Sequence, residues 1–135
     1  MRITKQLRIE AGHRLVNHES KCKNYHGHEY VFDIVCTADK LDDVGRVIDF
    51  SVIKSEVGGY LDTFLDHGMI LRKDDPLAQA MNDQGCKVSV MAVNPTAENL
   101  AEHIFHIASG LLASFNVAVV LVRCHETPTC YAEYP

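Results

Sequence analysis

From Ile3 to His13, apolar and polar residues alternate. Ile3, Leu7, Ile9, Ala11 and His13 share one face; Thr4, Gln6, Arg8 and Glu10 share the other. A period of two is that of a half-buried β-strand. The alternation returns from His28 to Ala38, with Tyr30, Phe32, Ile34 and Cys36 on one side. The period then changes. Phe50, Ile53, Val57, Tyr60/Leu61 and Phe64 recur at helical spacing behind Asp49, an N-cap residue. Gly58-Gly59 interrupts that helix, each glycine costing about 1 kcal/mol relative to alanine, and predicts a kink. Residues 66–94 read as loop, with a short strand possible at Lys87–Val93.

A second helix follows Pro95, capped by Thr96, with Leu100, Ile104, Ile107/Ala108, Leu111 and Phe115 as its buried stripe and Asn116 as its stop. "VAVVLVRCHET" is rich in β-branched residues and reads as a strand. Thr127-Pro128-Thr129 turns it into a last strand, Cys130 to Tyr134. The order β-β-α-α-β-β predicts an α+β fold: a four-stranded, mainly antiparallel sheet with two helices on one face. Repeats and linkers are absent, so residues 1–135 read as one domain.

Composition narrows the function. The net charge of −5 argues against a nucleic-acid partner, which needs a basic footprint. No apolar run approaches the ~20 residues of a membrane span, and "MRITKQLRIE" carries no apolar signal segment, so a cytoplasmic protein is expected. Five cysteines, with no Cys-x-x-Cys pair, favour reduced thiols. Cys36 and Cys124 lie in apolar runs and read as small buried hydrophobes; Cys22 lies among Lys21, Lys23 and histidines, a setting that favours a thiolate.

The candidate chemistry centres on "CKNYHGH", residues 22–28. On an extended strand His26 and His28 point the same way, and Gly27 removes bulk between them. His13 ends the first strand on its apolar face and comes near the pair if the two strands are neighbours. Three imidazoles with an open fourth position form a catalytic rather than a structural zinc site. Iron, cobalt or nickel would also suit such ligands. The remaining histidines, His18, His103, His106 and His125, show no partner pattern and read as structural or surface groups.

"AGHRL", "CKNYHGHEY", "LDHGMIL", "NPTAENLAEHI" and "CHETPTCYAEY" occur in the order found in the 6-pyruvoyltetrahydropterin synthase / 6-carboxytetrahydropterin synthase family, which the chain resembles from about residue 3 to its end. The resemblance implies the tunnelling fold, a four-stranded sheet with two helices assembled as a hexamer from two trimers. It implies zinc on His13, His26 and His28, Cys22 as catalytic thiol, Asp66 and His67 as a proton relay, and Glu126 as the anchor of the pterin ring. Thr96, a helix cap first, is a further candidate beside the pterin. The implied substrate is 7,8-dihydroneopterin triphosphate. The spacing Cys-x-x-x-His-Gly-His resembles the carboxy synthases of queuosine biosynthesis; the pyruvoyl synthases typically have two more residues there. In the family an asparagine often follows the apolar residues after Asp-His, where this chain has Arg72 and Lys73. A pyruvoyl synthase and a non-catalytic pterin-binding module are the alternatives.

Overall fold

A computed structural model describes residues 1–135. Strand β1 (Arg2–His13) pairs antiparallel with β2 (His26–Thr37), and β2 pairs antiparallel with β5 (Ala118–Thr127). β5 in turn pairs antiparallel with β6 (Cys130–Tyr134). These are the four strands expected from the sequence, two from alternation, one from β-branched composition and one from the turn at 127–129. The sheet nevertheless has six strands, in the order β4-β3-β1-β2-β5-β6, and not four. The additions come from residues 66–94: β3 (Gly68–Arg72), β4 (Val88–Met91) and, between them, helix α3 (Pro76–Asp83). β3 runs parallel to β1 through only three residue pairs, Ala11↔Gly68 to His13↔Ile70, and β4 runs parallel to β3. A five-residue strand is too short to show a period, which is why this region reads as loop from sequence. The short strand expected near Lys87–Val93 is present as β4.

The first predicted helix runs from Phe50 to Phe64 in three pieces: α1 (Phe50–Ile53), a π-helical segment (Lys54–Gly58) and α2 (Gly59–Phe64). Asp49 caps it, its side chain accepting from the Ser51 amide at 2.8 Å. Both glycines keep right-handed helical angles, so the irregularity is a widened turn ahead of Gly59 rather than a break. The long helix α4 (Ala97–Leu112) is capped by Thr96, whose hydroxyl accepts from the Asn99 amide at 3.3 Å. Asn116 adopts left-handed φ (56°) and ends the following turn.

Both helical rods lay most of their apolar stripes on one face of the central strands; Phe50, Phe64 and Phe115, at the stripe ends, are exposed instead. Leu7, Ile9, Tyr30, Phe32, Ile34, Val122 and Cys124 from the sheet meet Ile53, Val57, Leu61, Leu100, Ile104 and Leu112 in one continuous core. Each such side chain, fully buried, contributes about 1.5–3 kcal/mol. Only three buried residues are polar: His13, Asp33 and Asp75. Asp33 is satisfied by Gln6 (2.9 Å) and His125 (3.1 Å), which gives His125 a structural partner. His103 likewise meets the Tyr60 hydroxyl at 3.2 Å. All five cysteines are free thiols, Cys36 and Cys124 buried as expected.

Candidate metal centre and active site

The register of β1 and β2 sets His13 directly opposite His26, and Ala11 opposite His28. Period two then brings His13, His26 and His28 to the helix-covered face. Gly27 permits the close approach: a Cβ there would stand 2.9 Å from the Ala11 carbonyl oxygen. One coordinating nitrogen from each ring lies within 4.8 Å of the other two, a group able to hold a metal ion.

Two backbone carbonyls fix the tautomers. His13 Nδ1 donates to Pro95 O (2.8 Å) and His26 Nδ1 donates to Asn24 O (2.7 Å). A carbonyl can only accept, so both Nε2 atoms are bare when the rings are neutral. They face each other at 3.1 Å. Two lone pairs at that distance repel unless a cation lies between them. His28 Nε2 is buried and has no hydrogen-bond partner. Burial lowers the His13 pKa to about 4, with the Pro95 bond opposing it and His26 and His28 adding to it. Burial also lowers His28, against the pull of Glu126. Neutral imidazoles presenting lone pairs fit a divalent ion such as zinc. The Nδ1–carbonyl bonds are the outer support such ligands usually have.

Around the triad, Glu126 sits at the end of β5, one carboxylate oxygen 3.5 Å from His13 Nε2 and 3.7 Å from His28 Nε2. It also borders a cleft of about 410 Å³ with Gln6, Arg8, His28 and Thr127. Tyr30, edge-on to His13 and His28, has a buried hydroxyl without a partner; burial, and then the charge of Glu126, hold it protonated. Cys22 occupies a short 3-10 turn (Lys21–Lys23) in the loop between the first two ligands; it is half-buried, and its carbonyl accepts from the Leu15 amide at 2.9 Å.

Asp66 and His67 lie at the turn between α2 and β3. His67 Nδ1 meets Asp66 Oδ2 at 2.6 Å, and Asp66 Oδ1 accepts from the Glu10 amide at 2.8 Å. His67 holds φ at 56°, and its side chain is 77% exposed. Burial pulls the Asp66 carboxyl up, but the Glu10 amide and His67 outweigh it and keep it below the usual range. His67 shares a groove with His28, Gly12 and Gly27, yet no hydrogen bond joins it to Cys22 or the triad. A groove of about 730 Å³ runs beside Lys5–Ile9 of β1, with no histidine in its lining. Thr96 caps α4 one residue after Pro95, whose carbonyl holds His13.

Periodicity could not reveal Tyr30 as a polar neighbour of the site, nor the two carbonyls, which carry no side-chain signal. Asp75 lies in the stretch that reads as loop; the signal that could have found it is Asp-Pro at residues 75–76, a helix start.

Residues 2–135 match the family model described as 6-pyruvoyl tetrahydropterin synthase. The chain belongs to that family. A 6-carboxy-5,6,7,8-tetrahydropterin synthase of Rickettsia conorii is 40% identical over 136 residues, covering 98% of this chain and 99% of the relative. An uncharacterized protein from Wolinella succinogenes has the same fold, with a TM-score of 0.85 and 21% identity over 99% of this chain and 97% of its own. The Caenorhabditis elegans 6-pyruvoyl tetrahydropterin synthase matches with a TM-score of 0.73 and 23% identity, covering 99% and 94%. The fold is therefore the tunnelling fold, of the α+β class. As a member of the 6-pyruvoyl tetrahydropterin synthase family the protein is an enzyme, a lyase. No helix is long and apolar enough to cross a membrane.

Proposed function

We propose that the protein is a zinc-dependent 6-carboxy-5,6,7,8-tetrahydropterin synthase. It converts 7,8-dihydroneopterin triphosphate and one water to 6-carboxytetrahydropterin, acetaldehyde and triphosphate, the water supplying the second carboxylate oxygen, in the cytoplasmic route to queuosine and other 7-deazapurines. The observation that carries this reading is the set of three converging imidazoles, two with bare Nε2 atoms 3.1 Å apart, beside Glu126. The name of the Rickettsia relative and the short Cys22-to-His26 spacing support the carboxy reaction.

His13, His26 and His28 would hold the ion. Bound there, zinc supplies Lewis acidity toward the oxygens of the substrate side chain. The protein's own groups move protons and place the ring. Cys22, as thiolate, takes a proton from side-chain carbon. His67, held in one tautomer by Asp66, is the second acid–base group. Its lack of any hydrogen bond to Cys22 or the triad within one chain suits a site completed by a neighbouring subunit, in a homo-hexamer of two trimers. Glu126 accepts the parallel N–H and amino donors of the pterin from its place in the cleft beside His28. Thr96, the N-cap of α4, follows Pro95, whose carbonyl meets the ligand His13, and is a further candidate beside the pterin. Oxidation of the side chain is internal, so no redox cofactor is required, and residues 1–135 act as one domain.

The test is mass spectrometry of the product made from dihydroneopterin triphosphate by metal-loaded protein. Acetaldehyde and 6-carboxytetrahydropterin are expected. Pyruvoyltetrahydropterin would instead assign the chain to the pyruvoyl reaction, and absence of turnover would leave a binding module.

A further inference from the structure

The loop carrying Cys22, residues 14–25, contains no buried residue. Leu15 and Val16 are only half-buried, so apolar packing holds it weakly and its place leans on polar anchors. One is Asn94, which exchanges two hydrogen bonds with the backbone of Val16, both 2.9 Å. The other is Asp75. Its carboxylate is buried at the start of α3 and receives both ends of the loop. Arg14 Nε donates to Oδ2, and the Tyr25 hydroxyl donates to Oδ1 at 2.8 Å. The Arg14 guanidinium also stacks over the Tyr25 ring, 4.4 Å from its centroid. Arg14 follows the ligand His13, and Tyr25 precedes the ligand His26.

We infer that Asp75 is a positioning residue that fixes Cys22 by tying together the two ends of its loop. The inference rests on the reading of Cys22 as the catalytic thiol. An N-cap alone needs one acceptor, and Oδ1 already supplies it to the Leu77 amide at 2.9 Å. The second oxygen and the buried charge serve Arg14, which has no part in α3. Misplacing a reacting group by about 1 Å costs on the order of 10²-fold in rate, so a small drift of the loop is enough to matter.

Asp75→Asn tests this. It preserves the acceptor for Leu77 and Tyr25 and replaces the acceptor for Arg14 with an N–H donor. Three readouts are taken on the full-length, metal-loaded protein: kcat and KM, metal content, and the rate of iodoacetamide alkylation at each cysteine by peptide mapping. We expect kcat to fall by about 10- to 100-fold, with KM and metal content near wild type. Cys22 should alkylate several-fold faster while the exposed Cys86 and Cys130 keep their rates. Tyr25→Phe, at an exposed residue, removes one bond and should shift Cys22 the same way by less; it serves if the first variant does not fold. Unchanged alkylation of Cys22 in the folded variants overturns the inference, as does equal acceleration of all three cysteines. If wild-type protein does not turn over the pterin, the functional reading fails, while alkylation still decides the role of Asp75.

Discussion

His13 and His67 are both paired with an oxygen through Nδ1, yet they are built for different tasks. His13 is fully buried, its partner is a neutral carbonyl, and its pKa is driven down to about 4. His67 is mostly exposed, its partner is a carboxylate, and it sits on a turn with positive φ. The carbonyl fixes the tautomer of His13 and favours its cation less than burial disfavours it, which suits a ligand that must keep its lone pair free. A carboxylate fixes the tautomer and stabilises the imidazolium, which suits a ring that takes and returns protons. The surroundings, more than the residue type, distinguish a ligand from an acid–base group.

The comparison is broken most severely by removing a ligand. His28→Ala should remove the ion and turnover together, a loss beyond the ~10²-fold typical of damage to a ligand's outer support; elemental analysis and assay on one sample check it. The exposed histidine should behave differently. His67→Asn keeps a residue that tolerates positive φ and should lower kcat by about 10²–10⁴-fold with metal content unchanged. Loss of metal in that variant would mean the two histidines belong to one structural unit.

The third prediction uses the buried ring alone. In metal-free protein, the folded state disfavours protonated His13, while an unfolded histidine takes its proton near pH 6.5. Between about pH 6.5 and 4 the unfolded state therefore binds more protons, and stability falls as pH falls. The loss approaches about 3 kcal/mol below pH 4, measurable by urea unfolding at several pH values. In His13→Gln that part of the slope should vanish. The smallest effect is at Thr96: Thr96→Ala should cost about 1 kcal/mol in thermal unfolding. A rise in KM alongside would place its hydroxyl beside the substrate.

The buried half of this contrast was largely readable in the sequence. Alternation along Ile3–His13 and His28–Ala38 gave the faces of β1 and β2, and placing His13 with His26 and His28 needed only that these strands pair. The relay and the pterin anchor came from family motifs, because Asp66-His67 and Glu126 carry no periodic signal. The elements not expected from sequence are β3 and α3: Gly68–Arg72 is a strand because β1 offers it three residues of edge and β4 pairs on its other side. Asp75 goes unread because its neighbours look like loop, although both ends of the Cys22 loop bond to it. Local pattern shows which residues face the core; it does not show which backbone carbonyl will meet a ring nitrogen.

The most direct test of the whole account is the metal content of protein purified from zinc-replete medium, set against that of His26→Ala. The account predicts about one zinc per chain in the first and none in the second. Wild-type protein without metal, or a variant that keeps its zinc, would contradict it.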